Sequence, residues 1–500
     1  MSMEHNDLKL NNGQQYAYNQ IMDFATDETS QVFILRGYAG AGKTTLMKHI
    51  IKAFTERSFN FKLLASTGRA AKILSDLTGT IASTVHGEIY RFDGLNLELE
   101  ELVKDREKEK LDRSQELFLQ FELNFRKDES DGTFIYIIDE SSMISDKKML
   151  GSSQARFGSG RLLADLLESD STGKFLFVGD QCQLPPINQE ISPALSADYI
   201  KHTFGKDVRE AELTQIMRQR GTNDIPVAAS KLRNLYVHPQ PWQWAKFPLR
   251  GYAHIHLLQS QAELYSRYIE NVKRSGYESC TLICRTNRQC NDVTHLVRPS
   301  LLASTSYVLQ VGDILLVTQN NLISGLMNGD LVVVEEIGRN CMDNGENTED
   351  CLKDVGGAFR LRKGGLNFLY VTVRDLYRKK TYSQYLVEDV LYQNSANITP
   401  EQNRNLFIDF YYRMRDRGIK QNMDEFRQEM YKDPFLNALR CSWGYALTCH
   451  KAQGGEWDTV YLDLPRNIGK MEKPAVYQWM YTAMTRASKD LYIVNDFYVM

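Results

Sequence analysis

The chain has 500 residues, of which 42% are hydrophobic and 25% are charged, as in an ordinary globular protein. This length exceeds what one hydrophobic core usually organises, so we expect two or more domains. The net charge of −3 excludes a generally basic protein that coats nucleic acid, so any such contact must come from a local groove. No apolar run is long enough to cross a bilayer and the polar first residues do not resemble a signal peptide, so we expect a cytoplasmic location and no membrane partner.

A phosphate-binding loop is predicted near the start of the chain. Residues 37–44 read GYAGAGKT and fit the spacing G-x-x-x-x-G-K-S/T, between an apolar run at 32–35 and a helical pattern at 45–54. This context suits a nucleoside triphosphate, because backbone N–H groups can surround the phosphates at a helix N-terminus. It disfavours the alternative, a glycine-rich turn with a chance lysine. Lys43 is expected to reach the β- and γ-phosphates, and Thr44 to bind Mg²⁺; the predicted nucleotide-binding residues are Gly37, Gly40, Gly42, Lys43, Thr44 and Thr45.

An acidic pair follows a second predicted strand. The apolar run 134–138 ends in Asp139 and Glu140. Asp139 at the strand end is expected to hold Mg²⁺, usually through water, and Glu140 to orient or deprotonate the attacking water. An acidic pair after a strand is also common as a solvated loop start, so its value comes from the phosphate loop before it.

A third predicted strand, residues 174–178, runs into the sequence GDQCQLPP at 179–186. Polar groups at the end of such a strand reach the edge of the sheet where ligands of open α/β folds bind. Gln181 is therefore a candidate to bond the γ-phosphate or the attacking water. A Gly-Asp turn closed by a Pro-Pro stop explains the same residues without a ligand, and the spacing does not separate the two interpretations.

The eight cysteines are scattered along the chain. Cys280, Cys284 and Cys290 are close enough in sequence to be considered as metal ligands, but no paired C-x-x-C accompanies them. We therefore expect buried free thiols.

Residues 311–439 have a different pattern. Short β-rich runs at 313–318, 330–337, 358–361 and 366–374 precede a helical part. A capping box of Thr399 and Gln402, with Pro400 between them, begins the first of two helices. Its apolar residues recur on one face and are expected to be core, packed on the β-rich part or on the insertion of the first half: Leu406, Phe407, Phe410, Tyr411 and Met414.

Taken together, a series of short motifs resembles the superfamily-1 helicases, in particular the B branch with the RecD-type and Dda-type DNA helicases. The motifs occur in the family's order over almost the whole chain. One departure is Ala452, where relatives often carry serine. The matching segments are LNNGQ (10–14), GYAGAGKT (37–44), LASTGRAAK (64–72), STVHG (83–87), DESSM (139–143), GDQCQLPP (179–186), LTQIMRQ (213–219), ALTCHKAQGGEW (446–457) and YTAMTRAS (481–488).

The resemblance implies a role for further residues. Gln14 would read the adenine, and Arg218 and Arg486 of the second motor domain would stabilise the transferring phosphoryl group. With Lys43, Glu140 and Gln181, these two arginines make up the expected catalytic set. The expected contacts to single-stranded DNA, made to phosphate and sugar with little sequence preference, are Thr67, Arg69, Lys72, Thr84, His86, Thr448, His450, Lys451 and Gln453.

The implied fold is α/β, with two tandem RecA-like P-loop NTPase domains and two insertions. We expect the first domain at 1–205 and the second at 206–311 and 440–500. A small pin-type insertion at about 88–132 would lie in the first domain, with a wedge aromatic near Phe92 or Phe125, or with both simply packed. An SH3-like β-barrel followed by helices would fill 312–439.

The implied function is that of an ATP-dependent DNA helicase, moving 5′-to-3′ on single-stranded DNA with ATP and Mg²⁺. Its partners would be single-stranded DNA and duplex junctions, and the protein is expected to be a monomer. Two alternatives stay open. One is a nucleic-acid-stimulated ATPase that remodels protein–DNA complexes without unwinding, and the other is an RNA helicase.

Overall fold

The computed structural model describes residues 9–107, 117–126, 132–148, 155–215, 223–338, 351–353, 359–393, 397–465, 468, 471 and 473–500. Within these ranges, no helix has both the length and the apolar character needed to span a membrane. The strands are β1 (Val32–Gly37), β2 (Asn60–Ala65), β3 (Ala82–Thr84), β4 (Tyr90–Leu95), β5 (Leu119–Leu123), β6 (Phe134–Asp139), β7 (Ala155–Phe157), β8 (Lys174–Gly179), β9 (Val208–Leu213), β10 (Ile255–Leu258), β11 (Cys280–Cys284), β12 (Ile314–Val317), β13 (Leu331–Ile337), β14 (Cys351–Lys353), β15 (Phe359–Lys363), β16 (Leu366–Asp375), β17 (Thr381–Val387), β18 (Cys441–Trp443), β19 (Leu447–Thr448), β20 (Trp457–Leu462) and β21 (Ala487–Val494).

The α-helices are α1 (Asn12–Thr26), α2 (Lys43–Glu56), α3 (Gly68–Thr78), α4 (Val85–Ile89), α5 (Leu99–Glu107), α6 (Leu162–Ser169), α7 (Ala197–Phe204), α8 (Ile225–Val237), α9 (Gln261–Ser275), α10 (Asn287–Leu302), α11 (Asp389–Tyr392), α12 (Pro400–Asp416), α13 (Asp424–Lys432), α14 (Cys449–Ala452) and α15 (Lys473–Met484). Side-chain caps begin several of them. The predicted capping box of α12 is present, with Thr399 and Gln402 bonding reciprocally and Pro400 at the first helical position.

The first half of the chain forms a six-stranded parallel sheet in the order β3-β2-β6-β8-β1-β9. Alternate side chains of β1 enter different cores: Phe33 and Leu35 pack with α1 and α2, whereas Val32 and Ile34 pack with α6 and α7. Both faces are covered, so the central strands are apolar runs. The chain leaves β1 toward β2 and leaves β8 toward β9, in opposite directions. The ends of β1 and β8 therefore mark the switch point at which open α/β sheets bind ligands.

The second parallel sheet has the order β10-β21-β20-β11-β19. Six cysteines among the described residues are buried free thiols, as predicted. Cys182 lies in the first half, and the other five lie in the second half: Cys280 and Cys284 on β11, Cys290 in α10, Cys441 on β18 and Cys449 in α14. The molecule is therefore an α/β protein built on two tandem parallel sheets.

Two predicted domain boundaries lie a few residues before the edge strand of a sheet. The first domain was expected to end at residue 205, but β9 runs from Val208 to Leu213 and pairs with β1 along its whole length. The insertion was expected to end at residue 439, but β18 (Cys441–Trp443) pairs with β12. In both places an edge strand completes the sheet before the chain crosses to the next one.

The insertion after residue 311 contains an antiparallel sheet in the order β14-β15-β16-β13-β12-β18, with β17 paired to β16. Its closure into an SH3-like barrel stays a prediction. Helix α12 packs on this sheet through Leu406, which lies in one cluster with Phe368 and Phe435.

The insertion of the first half is a small sheet, β4-β5-β7, with helix α5 between two of its strands in the sequence. Leu99 and Leu102 of α5 share an apolar cluster with Phe407 and Phe410 of α12, so the two insertions touch each other. Phe92 packs edge-on against Phe121 and Tyr431, whereas Phe125 is 50% exposed.

Candidate nucleotide site and nucleic-acid track

The phosphate loop lies at the switch point of the first sheet, between β1 and α2. Gly40 and Gly42 have φ angles of 77° and 78°, a conformation that favours glycine. Gly42 is the N-cap of α2 and offers no side-chain hydrogen bond to it, so the first-turn N–H groups are left for an anion. Lys43 Nζ donates to the carbonyl oxygens of Gly37 at 2.6 Å and Tyr38 at 3.2 Å, which holds its ammonium group against the loop.

Gln14 is buried beside this loop. Its Nε2 donates to the Gly42 carbonyl at 3.2 Å. Its Oε1 accepts from the Asn11 amide at 3.0 Å, and its own amide donates to Asn11 Oδ1 at 2.8 Å. A capping box thus fixes the side chain against the loop, and adenine recognition by Gln14 stays a prediction.

The acidic pair lies near Lys43 of the loop. Asp139 ends β6 and Glu140 follows it with φ 50°, a left-handed backbone that is uncommon outside glycine and frequent at functional sites. Burial and the Glu140 carboxylate raise the pKa of Asp139 to about 7, against the lowering effect of the Glu140 amide and Lys43. Carboxylate and hydroxyl oxygens are the ligands that Mg²⁺ prefers, and a cation here would offset the repulsion between the two acids. Asp139 with Thr44 therefore fits a magnesium site.

One cleft of about 700 Å³ joins these groups. It is lined by the loop residues Gly40, Gly42, Lys43, Thr44 and Thr45, by both acids, and by residues of the second half, among them Gly455, Trp457 and Arg486.

The structure brings Gln183 to this cleft in place of the predicted Gln181. Gln183 is 3% exposed, lines the cleft, and its Oε1 has no hydrogen-bond partner among the described residues. A turn at Asp180 sets this orientation, because its Oδ1 accepts from the Cys182 amide at 2.9 Å and its carbonyl from the Gln183 amide at 3.1 Å. Gln181 is half-buried within that turn, and its carbonyl oxygen accepts from Gln478 Nε2 at 3.5 Å.

Arg486 enters the cleft from the second half of the chain. It follows α15 and is 6% exposed. Its three hydrogen bonds to described residues all go to neutral oxygens: the Thr482 carbonyl at 3.1 Å, the Gly455 carbonyl at 3.3 Å and Thr485 Oγ1 at 3.3 Å. The second predicted arginine, Arg218, lies outside the described residues.

The predicted nucleic-acid contacts of the first half fall into two groups. Thr67 and Thr84 are N-caps of α3 and α4, accepting from Ala70 and Gly87. His86 packs edge-on against Phe157 at 5.1 Å, and burial lowers its pKa.

Arg69 and Lys72 differ from these, because both line the nucleotide cleft. Lys72 is buried and forms an ion pair with Asp330 of the insertion, with Asp375 3.8 Å away. The ammonium group is therefore occupied by carboxylates in this conformation.

The predicted nucleic-acid contacts of the second half lie at the β19 edge of the second sheet. Thr448 ends β19 beside Cys284 of β11. His450 and Lys451 follow in α14, where burial lowers the pKa of each. Gln453 is buried and donates from Nε2 to the Leu184 carbonyl at 3.1 Å, so it contacts the loop after β8 and not an open groove.

A phosphate loop follows β1, an acidic pair ends β6 of the same sheet, and an arginine comes from the second parallel sheet. Together they define a nucleoside triphosphatase with two tandem α/β domains. Comparison with known proteins supports a helicase. An AAA domain model matches residues 9–236, and a UvrD-like helicase C-terminal domain model matches residues 444–494. These matches, with the relatives below, support the resemblance to the B branch of the superfamily-1 helicases.

Individual relatives are similar to the chain over different shares of their length. The chain is 24% identical over 497 residues to the ATP-dependent DNA helicase dda of Enterobacteria phage T4, covering 97% of this chain and 99% of that protein. It is 28% identical over 205 residues to the ATP-dependent RecD2 DNA helicase of Deinococcus radiodurans, covering 40% of this chain and 22% of that protein. A solved structure similar to it is the Pif1 helicase from Bacteroides in complex with ADP-AlF3 and ssDNA, with 17% identity, a TM-score of 0.46, and coverage of 98% of this chain and 93% of that chain.

Proposed function

We propose that this protein is an ATP-dependent DNA helicase that moves 5′-to-3′ along single-stranded DNA and separates duplex ahead of it. The observation that carries the proposal is the composition of the cleft. The phosphate loop and the acidic pair come from the first sheet, and Arg486 from the second. A nucleotide bound there would contact both halves of the molecule.

The residues divide the chemistry among them. Loop N–H groups and Lys43 would bind the phosphates, and Thr44 with Asp139 would hold Mg²⁺, which neutralises charge on the β- and γ-oxygens. Glu140 would orient and deprotonate the attacking water. Arg486 would stabilise the charge that develops on the transferring phosphoryl group. Because Arg486 belongs to the second half, ATP favours closure of the two halves and hydrolysis favours reopening.

The single strand is proposed to run over the edges of the two parallel sheets, past Thr67, Thr84 and His86 and then past Thr448, His450 and Lys451. These groups are suited to phosphate and sugar, so binding should weaken steeply as salt is raised. The 5′-to-3′ direction of movement is proposed from the resemblance to the B branch.

Strand separation is assigned to the small sheet β4-β5-β7 with its exposed Phe125. Its anchorage on α12 would hold it rigid against the duplex. If this insertion does not separate strands, the second candidate function remains, an ATPase that displaces proteins from DNA.

The test uses two partial duplexes that differ only in whether the single-stranded tail is 5′ or 3′. We expect unwinding of the 5′-tailed substrate alone, with ATP and Mg²⁺, and none by Lys43→Ala. Unwinding from the 3′ tail would refute the polarity. ATP hydrolysis without unwinding of either substrate would favour the protein-displacing ATPase, and stronger stimulation by a matched RNA oligonucleotide would favour an RNA helicase.

A further inference from the structure

Arg69 occupies an unexpected place for a residue of the predicted DNA track. It lies in the first turn of α3, and its side chain lines the same cleft as the phosphate loop. The guanidinium carbon is 4.5 Å from the centroid of the Trp457 ring. A Cβ added to Gly455 would lie 2.9 Å from that carbon and 2.6 Å from the Trp457 ring, so Gly455 is close to both. The guanidinium group thus packs against two residues of the second half of the chain.

One donor of Arg69 has no partner. Its Nη1 is buried and has no hydrogen-bond partner among the described residues. Burial and the nearby Arg486 lower the pKa of Arg69 to about 10, against the raising effect of Asp330, Tyr377 and Asp375. Arg486 donates to the carbonyl of the same Gly455 that Arg69 packs against.

Two guanidinium groups from opposite halves of the molecule therefore flank one glycine in the same cleft. Buried charges are stable when they are paired, and two like charges in a site of low dielectric repel each other. An anion between the two guanidinium groups would pair their buried charges and offset the repulsion between them. The planar donors of arginine match the oxygens of a phosphate especially well.

We propose that Arg69 and Arg486 together form a binding site for the terminal phosphate of the nucleoside triphosphate, completed only when the two halves of the molecule close. The inference rests on the proposed function and deepens it. Arg69 forms no covalent bond and takes no proton; it holds the phosphoryl group before hydrolysis and the inorganic phosphate after it.

The terminal phosphate is favoured over a DNA phosphate for two reasons. Arg69 lies in the cleft that the phosphate loop lines, with Nη1 buried, whereas a DNA backbone needs an open groove. The neighbouring cation Lys72, one turn further along α3, is already paired with Asp330. A site that recognises the terminal phosphate also separates ATP from ADP, which gives the motor two states of different affinity.

The experiment measures equilibrium binding by the full chain of a fluorescent non-hydrolysable ATP analogue, of fluorescent ADP, and of a labelled single-stranded oligonucleotide without nucleotide. The variants are Arg69→Gln and Arg69→Lys. The control is Arg57→Gln, because Arg57 is an exposed arginine at the end of α2 in the same half of the chain. Thermal unfolding of each variant checks that it is folded.

We expect Arg69→Gln to bind the triphosphate analogue about 10- to 100-fold more weakly, as for loss of a hydrogen bond to a charged group. ADP and oligonucleotide affinities should stay within about twofold of the wild type. Arg69→Lys keeps the positive charge but lacks the planar guanidinium group. Its affinity for the triphosphate analogue should lie between those of the wild type and Arg69→Gln. If Arg69→Gln does not fold, a selective loss of the triphosphate in Arg69→Lys carries the proposal, and unchanged binding there overturns it.

Other results would overturn the inference directly. An equal loss of affinity for the ATP analogue and for ADP would mean that Arg69 maintains the structure of the cleft without recognising the terminal phosphate. Loss of oligonucleotide binding with nucleotide binding intact would make it the DNA contact that its motif suggests. A different result would separate this inference from the proposed function: a selective loss of the triphosphate in Arg69→Gln, with no unwinding by the wild type, would refute the helicase and support this site.

Discussion

The hydroxyl group of Tyr481 donates a 2.7 Å hydrogen bond to Asp180 and accepts a 3.0 Å bond from the Ala39 amide. Tyr481 belongs to α15 of the second half, Asp180 follows β8 of the first, and Ala39 lies in the phosphate loop. One buried hydroxyl therefore connects the last predicted motif with the phosphate loop. The next residue, Thr482, accepts from the Leu184 amide at 2.8 Å and strengthens the same junction.

Tyr481→Phe tests this junction. The change leaves the ring in place but removes a partner from both Asp180 and Ala39. Loss of a hydrogen bond of about 1–1.5 kcal/mol at the loop should lower kcat/KM for ATP roughly tenfold. Steady-state hydrolysis measures the effect. The matched control is Tyr477→Phe, in the same helix but directed at Lys246 of the second half; an equal loss in both variants would contradict the account.

Gln183 and Gln181 can be separated by alanine substitution. Because Gln183 is the glutamine that lines the cleft, Gln183→Ala should reduce the ATP hydrolysis rate by at least about tenfold, the cost of one hydrogen bond near the reacting phosphate. Gln181→Ala should stay close to the wild type. The reverse order of effects would restore the sequence-based assignment of Gln181.

Arg486→Ala should separate hydrolysis from DNA binding. Removing a donor aimed at the developing charge is expected to lower kcat by about 100-fold or more. Affinity for single-stranded DNA without nucleotide should change little, since Arg486 lies in the nucleotide cleft. Lys489→Ala, an exposed cation a few residues on, serves as the control. Parallel losses of hydrolysis and DNA binding would mean that Arg486 acts as a structural residue.

The buried pair of Lys72 and Asp330 makes a prediction on stability. Lys72→Met leaves the carboxylate buried and unpaired, and should lower the free energy of unfolding by about 3–5 kcal/mol. Adding Asp330→Asn should recover part of this loss, because the amide oxygen can still accept from the Met327 amide. Urea unfolding measures both variants.

The exposed pair of Lys489 and Asp458 is the control for that prediction. Lys489→Met should cost less than about 1 kcal/mol, as exposed ion pairs contribute little. A Lys72→Met variant no less stable than Lys489→Met would show that the buried pair does not hold the insertion on α3.

The parallel strands of the first sheet were predictable from sequence because each is an apolar run covered on both faces. The predicted run at 134–138 lies within β6, and 174–178 lies within β8. The phosphate loop, the acidic pair and the cap of α12 follow from short-range chemistry in the same way. Edge strand β9 alternates polar and apolar residues, and nothing local indicates that it pairs with β1 and not with the following sheet.

Side-chain placement in the site depended on tertiary contacts. Gln181 and Gln183 stand two residues apart after the same strand, and only the turn at Asp180 decides which reaches the cleft. Arg69 and Lys72 fit a DNA-contact motif by sequence. Their partners, Trp457 and Asp330, are hundreds of residues away in the chain, so their place in the cleft could not be read from spacing.

The central claim is that ATP hydrolysis at this cleft is driven by single-stranded nucleic acid. The most direct test is steady-state ATP hydrolysis with and without single-stranded DNA, comparing the wild type with Lys43→Ala and with Lys48→Ala, an exposed lysine of the same helix. The account predicts strong stimulation by DNA in the wild type and Lys48→Ala, and no turnover in Lys43→Ala. An ATP hydrolysis rate that single-stranded DNA does not raise, or one that is retained in Lys43→Ala, would contradict the account.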